Sequence, residues 1–517
     1  MPLTQTIGSQ AGRRWAKAIV CVLAFLVCTG PVRALDTLRM PYSSDVGSFD
    51  PDNSFEVGAL GAINAVYEGL VEYSPDSIDP VGLLADRWET SADARTYTFK
   101  LHAGVKFHDG TPMNASAVRE SFLRRMRPNQ ALSYFLHNVE SMEAVDESTF
   151  VVTLKKPQAN FLHLLASPWG PKVVSAAAMK DHTFDTGQEG WFIDHACGTG
   201  PYRLASFRRQ IGYTLQRNDG YWGKKPSFPT IDLPVVPDMS QQILQAKSGS
   251  LDLIAKDYPI AQLPGLDRKF AVTTGPGTAQ YTLFIKPGTA LEEPSVRKAV
   301  MTAIDPSGWV GDVFGPYATA STSLFPKTIL VPGEPIRFSG NLEAARQTIV
   351  DRGVPALSIG LQSSSITYAR IADLLIAQLS TIGIEATAYP LPPGAAYQLR
   401  TNPQAPDLLL TVASPDAADP ESQLRAFYTA DAPLNFFGKE VPEADAILDE
   451  ATANPDVADR NRQYETAARM YFDAGAAIPL VDADSVVVHR ADLTDLGLRP
   501  IFPPGYVDFG SIRVRDQ

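Results

Sequence analysis

The stretch Leu84–Phe122 constrains the fold most, because it carries both the period of a strand and the period of a helix. Within it, Thr96–Leu101 alternates polar and apolar side chains, which predicts a half-buried strand. Asn114 can then cap a helix with its side-chain oxygen, and Val118 and Phe122 recur at helical spacing. The stretch therefore predicts a hairpin that leads into a helix, and it holds no catalytic constellation.

Capping residues predict two further helices along the chain. Ser240 is placed to cap a helix that ends at Gly249, and Asn341 to cap one that ends at Gly353. Between these helices, the run of bulky residues at Tyr281–Ile285 predicts a strand. The chain thus mixes helices and strands along its length, which favours an α/β class.

The first 34 residues have the pattern of an export signal. A basic segment ends at Lys17, and the apolar run Ala18–Cys28 that follows is too short for a stable membrane span. Small residues then lead to Ala34, which predicts cleavage there and a mature chain that begins at Leu35. Lipid attachment at Cys28 is the alternative, and we favour a soluble periplasmic product.

The composition of the mature chain is that of an acidic globular protein. The full chain of 517 residues has 44% hydrophobic and 20% charged residues, which predicts two or three folded domains. Its net charge is −12, and removal of residues 1–34, with four basic and no acidic residues, changes this to −16. Such a charge disfavours nucleic acid or an anionic membrane as a partner. Cys197 is the one cysteine left after cleavage, so no internal disulfide is expected.

Three motifs in the opening stretch resemble one family of proteins. They are LADRWE at 84–89, YTFKL at 97–101 and GVKFHDG at 104–110. These motifs resemble the family 5 extracellular solute-binding proteins, the oligopeptide-, dipeptide- and nickel-binding group of ABC importers. Matching segments elsewhere extend the resemblance over the mature chain, at 49–51, 67–71, 198–202 and 217–226.

The resemblance implies an α/β fold of two lobes, with a cleft, a hinge and a small extra domain on the first lobe. The implied boundaries are a signal peptide at 1–34, a first lobe at 35–76, 198–285 and 485–517, a small extra domain at 77–197 and a second lobe at 286–484. Two lobes that are connected by a pair of crossover strands can close around a hinge at those strands.

The segment 407–425, DLLLTVASPDAADPESQLR, is the main candidate for ligand binding. The resemblance matches Asp416 to the acidic residue that holds the α-ammonium group of a bound peptide, and Asp419 to the aspartate that follows it. A cleft that closes over a free amine has to supply a carboxylate, because a buried cation without a partner is unfavourable. The alternative is that both aspartates cap or turn a solvent-exposed loop.

The same segment departs from the family pattern in two respects. Ala413 stands where the family usually has Trp, so an aromatic wall of the pocket is missing. Nickel-binding members use a histidine shortly after the Asp-Pro pair, and here no histidine occurs between His195 and His489. We therefore expect no metal ligated by the protein, while a metal chelate held without direct ligation stays open.

Other residues are weaker candidates for the cleft, since each also suits a core or surface position. They are Tyr42, Ser43, Tyr134, Trp169, Phe284 and Arg425. The aromatic members would form ligand walls, and Arg425 would hold a carboxylate or else solvate a helix.

The sequence contains no GxSxG, HExxH or CxxC motif, and no phosphate-binding glycine loop. Together with the resemblance, this predicts a periplasmic binding subunit without cofactors that captures a solute by hinge closure. The expected solute is a peptide, the expected partners are ABC permease subunits with their ATPases, and the expected state is a monomer. The alternatives are a nickel or other metal-chelate binder of the same family and, more distantly, a secreted hydrolase.

Overall fold

The protein is described here from a computed structural model, over residues 36–128, 130–182, 190–392, 394–501 and 505–515. The predicted signal peptide and the predicted mature start at Leu35 lie outside these ranges. The α-helices are α1 (Leu60–Val66), α2 (Ala115–Arg125), α3 (Phe161–Ala166), α4 (Ala176–Asp181), α5 (Trp191–Asp194), α6 (Met239–Ser248), α7 (Pro294–Ala303), α8 (Val310–Phe314), α9 (Leu342–Arg352), α10 (Ile366–Thr381), α11 (Pro420–Phe427), α12 (Pro442–Ala453) and α13 (Val457–Asp473).

The strands group into three larger sheets and two short pairs. They are β1 (Thr37–Arg39), β2 (Val71–Tyr73), β3 (Pro80–Gly82), β4 (Ala85–Thr90), β5 (Thr96–Leu101), β6 (Val139–Ala144), β7 (Thr149–Leu154), β8 (Tyr202–Arg208), β9 (Gly212–Arg217), β10 (Thr230–Pro234), β11 (Leu253–Ile254), β12 (Phe270–Ile285), β13 (Ala318–Ala320), β14 (Leu357–Leu361), β15 (Ala386–Pro390), β16 (Leu408–Ala413), β17 (Ala477–Arg490), β18 (Leu493–Thr494) and β19 (Arg513–Val514). Within the described ranges, no helix combines the length and apolarity that a bilayer crossing requires.

The first sheet has the order β1-β10-β9-β8. Its strands β8, β9 and β10 pair antiparallel, and β1 pairs parallel to β10. An isolated bridge between Tyr42 and Val235 continues this pairing beyond the end of β1. The sheet therefore fixes the segment that carries Tyr42 and Ser43.

The small sheet has the order β4-β5-β7-β6 and contains the stretch from which the sequence analysis started. The predicted strand Thr96–Leu101 is confirmed as β5. The predicted cap is confirmed as well, since the side chain of Asn114 accepts a hydrogen bond of 3.0 Å from the backbone N–H of Ala117 at the start of α2. Phe122 of α2 packs edge-on against Phe150 of β7, with ring centroids 5.5 Å apart, which buries the helix face against the sheet.

The large sheet has the order β11-β17-β12-β16-β14-β15, with β13 also paired to β17. The strand predicted at Tyr281–Ile285 is the end of β12, which begins much earlier at Phe270. Its pairing with β17 shifts between Gly275 and Ala279, where a bulge interrupts the ladder. A Cβ at Gly277 would lie 2.5 Å from the carbonyl oxygen of Ala483, so the bulge requires glycine there.

The two predicted helix caps have different outcomes. Asn341 caps α9 as predicted, and Gly353 ends it with φ +57°. Ser240 is wrong as a cap, because the cap lies two residues earlier at Asp238, whose side chain accepts from Gln241 N–H at 2.8 Å. A carboxylate at this position also suits the positive end of the helix dipole.

Candidate functional site

The Asp416 loop, residues 414–419, connects β16 to α11 and is held by the centre of the large sheet. β16 lies between β12 and β14, and its residues Leu408, Leu409 and Leu410 are almost fully buried. A strand buried on both faces gives the loop a fixed starting point at its carboxyl end. Segments from the small-sheet part of the chain then contact the loop.

Asp416 receives two hydrogen bonds from distant parts of the chain. The hydroxyl of Tyr134, in a short 3-10 helix at 133–136, donates to Oδ2 of Asp416 at 2.5 Å. The hydroxyl of Ser167, just after α3, donates to the backbone carbonyl of Asp416. The structure thus brings two predicted site residues, Asp416 and Tyr134, into direct contact.

The carboxylate of Asp416 lacks a cationic partner within the described part of the chain. Burial raises its pKa to about 6, and the hydrogen bond from Tyr134 opposes this rise. A neutral hydroxyl compensates a buried negative charge less well than an ammonium or guanidinium group does. The carboxylate is therefore suited to accept a cation that the ligand brings.

Asp419 is engaged in the fold. Its Oδ1 accepts from the backbone N–H of Glu421 at 2.9 Å, which caps α11, and from Nδ2 of Asn160 at 3.1 Å. The neighbouring Ala418 N–H donates to the hydroxyl of Tyr73 at 2.9 Å. Asp419 thus caps a helix as the alternative in the sequence analysis proposed, but in a buried position and not in a solvent-exposed loop. Its contact with a ligand stays a prediction.

Trp169 forms an aromatic wall together with a residue that sequence reasoning missed. Its indole N–H donates to the carbonyl of Phe55 at 3.2 Å, and the two rings stack with centroids 5.8 Å apart. Trp169 is 6% exposed, whereas Phe55 is 47% exposed and offers its ring to solvent. A role of Trp169 in ligand binding therefore stays a prediction.

A buried ion network supports this wall. Asp50 forms a two-pronged ion pair with Arg124, with distances of 2.9 and 2.7 Å, and Asp52 contacts both Arg124 and Arg125. Arg125 is fully buried and also donates to the carbonyl of Trp169. The Phe-Asp-Pro motif at 49–51 was the available sequence signal for this network, although its role was not predicted.

Tyr42 and Ser43 lie at a different cavity. This cavity has a volume of about 410 Å³, and Ser365 and Ile366, at the start of α10, line it with them. Asp416 is absent from its described lining. Their contact with a ligand therefore stays a prediction that is separate from the Asp416 loop.

Phe284 and Arg425 have partners within the fold. Phe284 is buried in the core of the large sheet, where its ring stacks on Phe427 and Tyr428 at centroid distances of 5.9 and 5.7 Å. Arg425 forms ion pairs with Glu421 at 2.6 Å and with Asp449 at 2.8 Å. These positions are those of a core aromatic residue and of a paired surface cation, and contact of either residue with a ligand stays a prediction.

Metal-binding side chains do not cluster in the described ranges, since no group of three His, Cys, Asp or Glu residues there is arranged to hold an ion. His108, from the GVKFHDG motif, is buried and its Nε2 lies 3.0 Å from the carbonyl oxygen of Gly200. Burial lowers the pKa of His108 to about 4, which favours the neutral ring. This histidine therefore serves to join two loops.

Comparison with known proteins identifies relatives of the chain. A family model described as "Bacterial extracellular solute-binding proteins, family 5 Middle" matches residues 79–434. The chain is similar to the "Probable D,D-dipeptide-binding periplasmic protein DdpA" of Escherichia coli (strain K12), with 26% identity over 458 residues, 86% of this chain and 88% of that protein. It is also similar to the "Glutathione-binding protein GsiB" of Pectobacterium atrosepticum, with 28% identity over 385 residues, 72% of each chain.

Among solved structures, the fold matches the periplasmic binding protein DppA from Helicobacter pylori in complex with the peptide STSA. The TM-score is 0.79 at 22% identity, over 93% of this chain and 98% of that one. The predicted α/β, two-lobed periplasmic binding protein fold is confirmed by this match.

Proposed function

Because the chain belongs to family 5 of the bacterial extracellular solute-binding proteins, we propose that it captures a peptide in the periplasm and delivers it to an ABC importer. The family consists of binding proteins that serve importers, and we extend this to the chain itself, which we propose has no catalytic activity. The names of two relatives, one for a D,D-dipeptide and one for glutathione, support a peptide as the solute.

The observation that carries this proposal is the state of Asp416. Its carboxylate lies in the loop that contacts both the small-sheet segments and the large sheet, and its one side-chain partner is the neutral hydroxyl of Tyr134. An α-ammonium group would supply the missing positive charge. Asp416 is therefore the residue that we propose to hold the amino terminus of the peptide.

We propose that uptake begins with closure of the two lobes. A ligand that contacts both lobes only in the closed state shifts the equilibrium toward that state by its difference in affinity. The permease would then bind the closed form, and its ATPases would supply the energy for transport. The predicted lobe boundaries belong to this proposal.

Calorimetry on matched ligands and variants tests the proposal. A thermal-shift screen of unmodified alanine-based di- and tripeptides selects a probe, which is then titrated beside its N-acetylated form. Asp416→Asn should weaken the unmodified probe about 30- to several-thousand-fold, because loss of one partner of a buried charge pair costs about 2–5 kcal/mol. The N-acetylated probe should bind the wild type weakly and respond little to the substitution.

Asp445→Asn provides the matched control. Asp445 also accepts a hydrogen bond from a tyrosine, Tyr471, but within the helices α12 and α13. This variant should bind the unmodified probe as the wild type does. Equal losses in both variants, or turnover of the peptide during incubation, would contradict the proposal.

A further inference from the structure

A short segment of the small-sheet part of the chain, residues 158–160, contacts the predicted second lobe at two points. We call it the clasp segment. The backbone N–H of Ala159 donates to the carbonyl oxygen of Thr452, in the last turn of α12, at 3.1 Å. The side chain of the next residue, Asn160, donates through Nδ2 to Oδ1 of Asp419 at 3.1 Å. Two consecutive residues thus bind two different elements on the other side.

The small sheet holds the clasp segment in place. The hydroxyl of Tyr97, a buried residue of β5, donates to the carbonyl oxygen of Gln158 at 2.8 Å. The backbone N–H of Gln158 donates to the carbonyl oxygen of Ala94 at 3.3 Å. The ring of Tyr97 also packs against that of Phe161, with centroids 5.0 Å apart. The clasp segment therefore has a fixed position relative to the small sheet.

Side-chain contacts fix the two acceptors on the opposite side as well. Asp419 caps the start of α11. The hydroxyl of Thr452 donates to Oε1 of Glu421 at 2.7 Å, which joins the end of α12 to the first turn of α11. Arg425 contacts both residues, Glu421 at 2.6 Å and Thr452 at 3.0 Å. Both acceptors of the clasp segment are therefore carried by one connected unit.

The clasp segment stays outside the apolar core of the unit that it contacts. Within the described ranges, the hydrophobic cluster around the large sheet is built from residues 279–483 alone. Parts of a chain that meet through polar contacts can move relative to one another more easily than parts that share a core. A separation of about 3.6 Å between donor and acceptor is no longer a hydrogen bond, so movement of the two parts breaks these bonds.

We propose that the clasp segment holds the predicted lobes together in part of the ligand-free molecules. The inference rests on the closure mechanism proposed above, and it adds that bonds within the protein itself stabilise the closed state. A protein whose binding-competent state is only partly populated has an affinity reduced by that fraction. The clasp segment therefore changes the affinity for every solute by the same factor.

Distances between spin labels test the proposal without a ligand. Val145→Cys, between β6 and β7, and Val350→Cys, on α9, carry the labels at exposed positions, while the native Cys197 is buried. Pulsed electron double resonance should resolve an open population and a closed one, whose distance is that of the present structure. Asn160→Asp places a carboxylate against that of Asp419. It should lower the ratio of closed to open molecules about 10- to 100-fold, since a hydrogen bond to a charged group has a value of this order.

Two further variants control for charge and for folding. Asn454→Asp is the matched control, because Asn454 also donates to a carboxylate, that of Asp459 at 2.8 Å, but between α12 and α13. This variant should leave the distances unchanged. Asn160→Ala removes the bond of the clasp segment without adding a charge, and it should shift the populations in the same direction by a smaller amount.

Peptide affinity provides an independent measurement. The unmodified and the N-acetylated probe should lose affinity for Asn160→Asp by one common factor, equal to the decrease in the closed fraction. Asp416→Asn, in contrast, should affect the unmodified probe alone. Unequal losses for the two probes in Asn160→Asp would place Asn160 at the ligand and overturn the inference.

The ligand-free distances separate the remaining outcomes. A wild type that is open in all molecules, or distances that Asn160→Asp leaves unchanged, would overturn the role of the clasp segment while leaving the peptide function intact. A lower Tm with unchanged distances would show a purely structural asparagine and would also overturn it. Absence of binding by every peptide would refute the proposed function, and the distances would still decide whether the clasp segment holds the ligand-free protein closed.

Discussion

The hydroxyl of Tyr134 donates a hydrogen bond of 2.5 Å to Oδ2 of Asp416, and 282 positions of the chain separate the two residues. The contact joins the segment beside the small sheet to the loop that follows β16. It also gives the carboxylate a neutral donor as its side-chain partner. Several consequences of this contact are measurable.

Peptide affinity should decrease as the pH falls through about 6. Burial raises the pKa of Asp416 to about 6 in the ligand-free protein, and binding of an ammonium group requires the charged form. Below this pH, binding has to displace a proton, which weakens affinity by up to about tenfold per pH unit. Calorimetric titration of an unmodified peptide between pH 4.5 and pH 8 measures this. An Asp416→Asn variant with the same pH profile would assign the titration to another group.

Tyr134→Phe should move the midpoint of that pH profile upward. The hydrogen bond from Tyr134 opposes the rise in the pKa of Asp416, so its removal allows the pKa to rise further. Tyr471→Phe is the matched control, because it removes the same kind of bond from Asp445, within α12 and α13. An unchanged midpoint in Tyr134→Phe would mean that the contact is not formed in solution.

Asp416→Asn should stabilise the ligand-free protein at pH 8. A carboxyl group with a raised pKa contributes stability that is fully present below its unfolded value, near 3.8, and is lost as the pH rises through about 6. At pH 8 the wild type therefore carries the cost of a half-buried charge, and the amide removes about 1–3 kcal/mol of it. Scanning calorimetry should show a higher Tm at pH 8 and little gain near pH 4. A lower Tm at pH 8 would argue for a structural role of the carboxylate.

Arg124→Met should destabilise the protein by about 3–5 kcal/mol, because it leaves the buried Asp50 without its partner. Arg87→Met is the control, since the pair between Arg87 and Asp86 is exposed and its loss should change stability by about 1 kcal/mol or less. Urea unfolding followed by circular dichroism gives both free energies of unfolding. Similar values for the two variants would show that the buried network contributes no more than a surface pair.

Free Ni²⁺ should bind weakly, because no histidine lies near Asp419 and Pro420 in the sequence. Titration of the mature protein with Ni²⁺ alone, and with Ni²⁺ and L-histidine together, measures this. Tight 1:1 binding of the bare ion would contradict the prediction. Binding that requires L-histidine would favour the metal-chelate alternative over a peptide.

Local signals were sufficient for much of the scaffold. The strand at Thr96–Leu101 and the caps at Asn114 and Asn341 are correct because each depends on neighbouring residues alone. β12 was predicted only from Tyr281 onward, since Gly-Pro-Gly at 275–277 has the local pattern of a turn. The pairing of β12 with β17, which is distant in sequence, overrides that local pattern.

The candidate site was predictable only where a motif marked it. The Asp-Pro pattern pointed to Asp416, and the structure adds the burial that raises its pKa and the contact with Tyr134 that opposes this rise. Phe55 carries no local signal, because its exposed position beside Trp169 arises from segments distant in sequence.

The bulge in β12 also has a mechanical consequence. Between the paired residues Gly275 and Ala279, three residues of β12 lie opposite one residue of β17. The bulge interrupts the ladder and bends β12 there. The hydroxyl of Thr278, in this bulge, lies 2.8 Å from the hydroxyl of Ser414, the first residue of the Asp416 loop. This contact, together with the pairing of Gln280 with Ala413, connects the bulge to the start of the Asp416 loop. The close approach to Ala483 leaves no room for a side chain at Gly277. Any larger residue there would therefore displace the bulge and, with it, the start of the Asp416 loop.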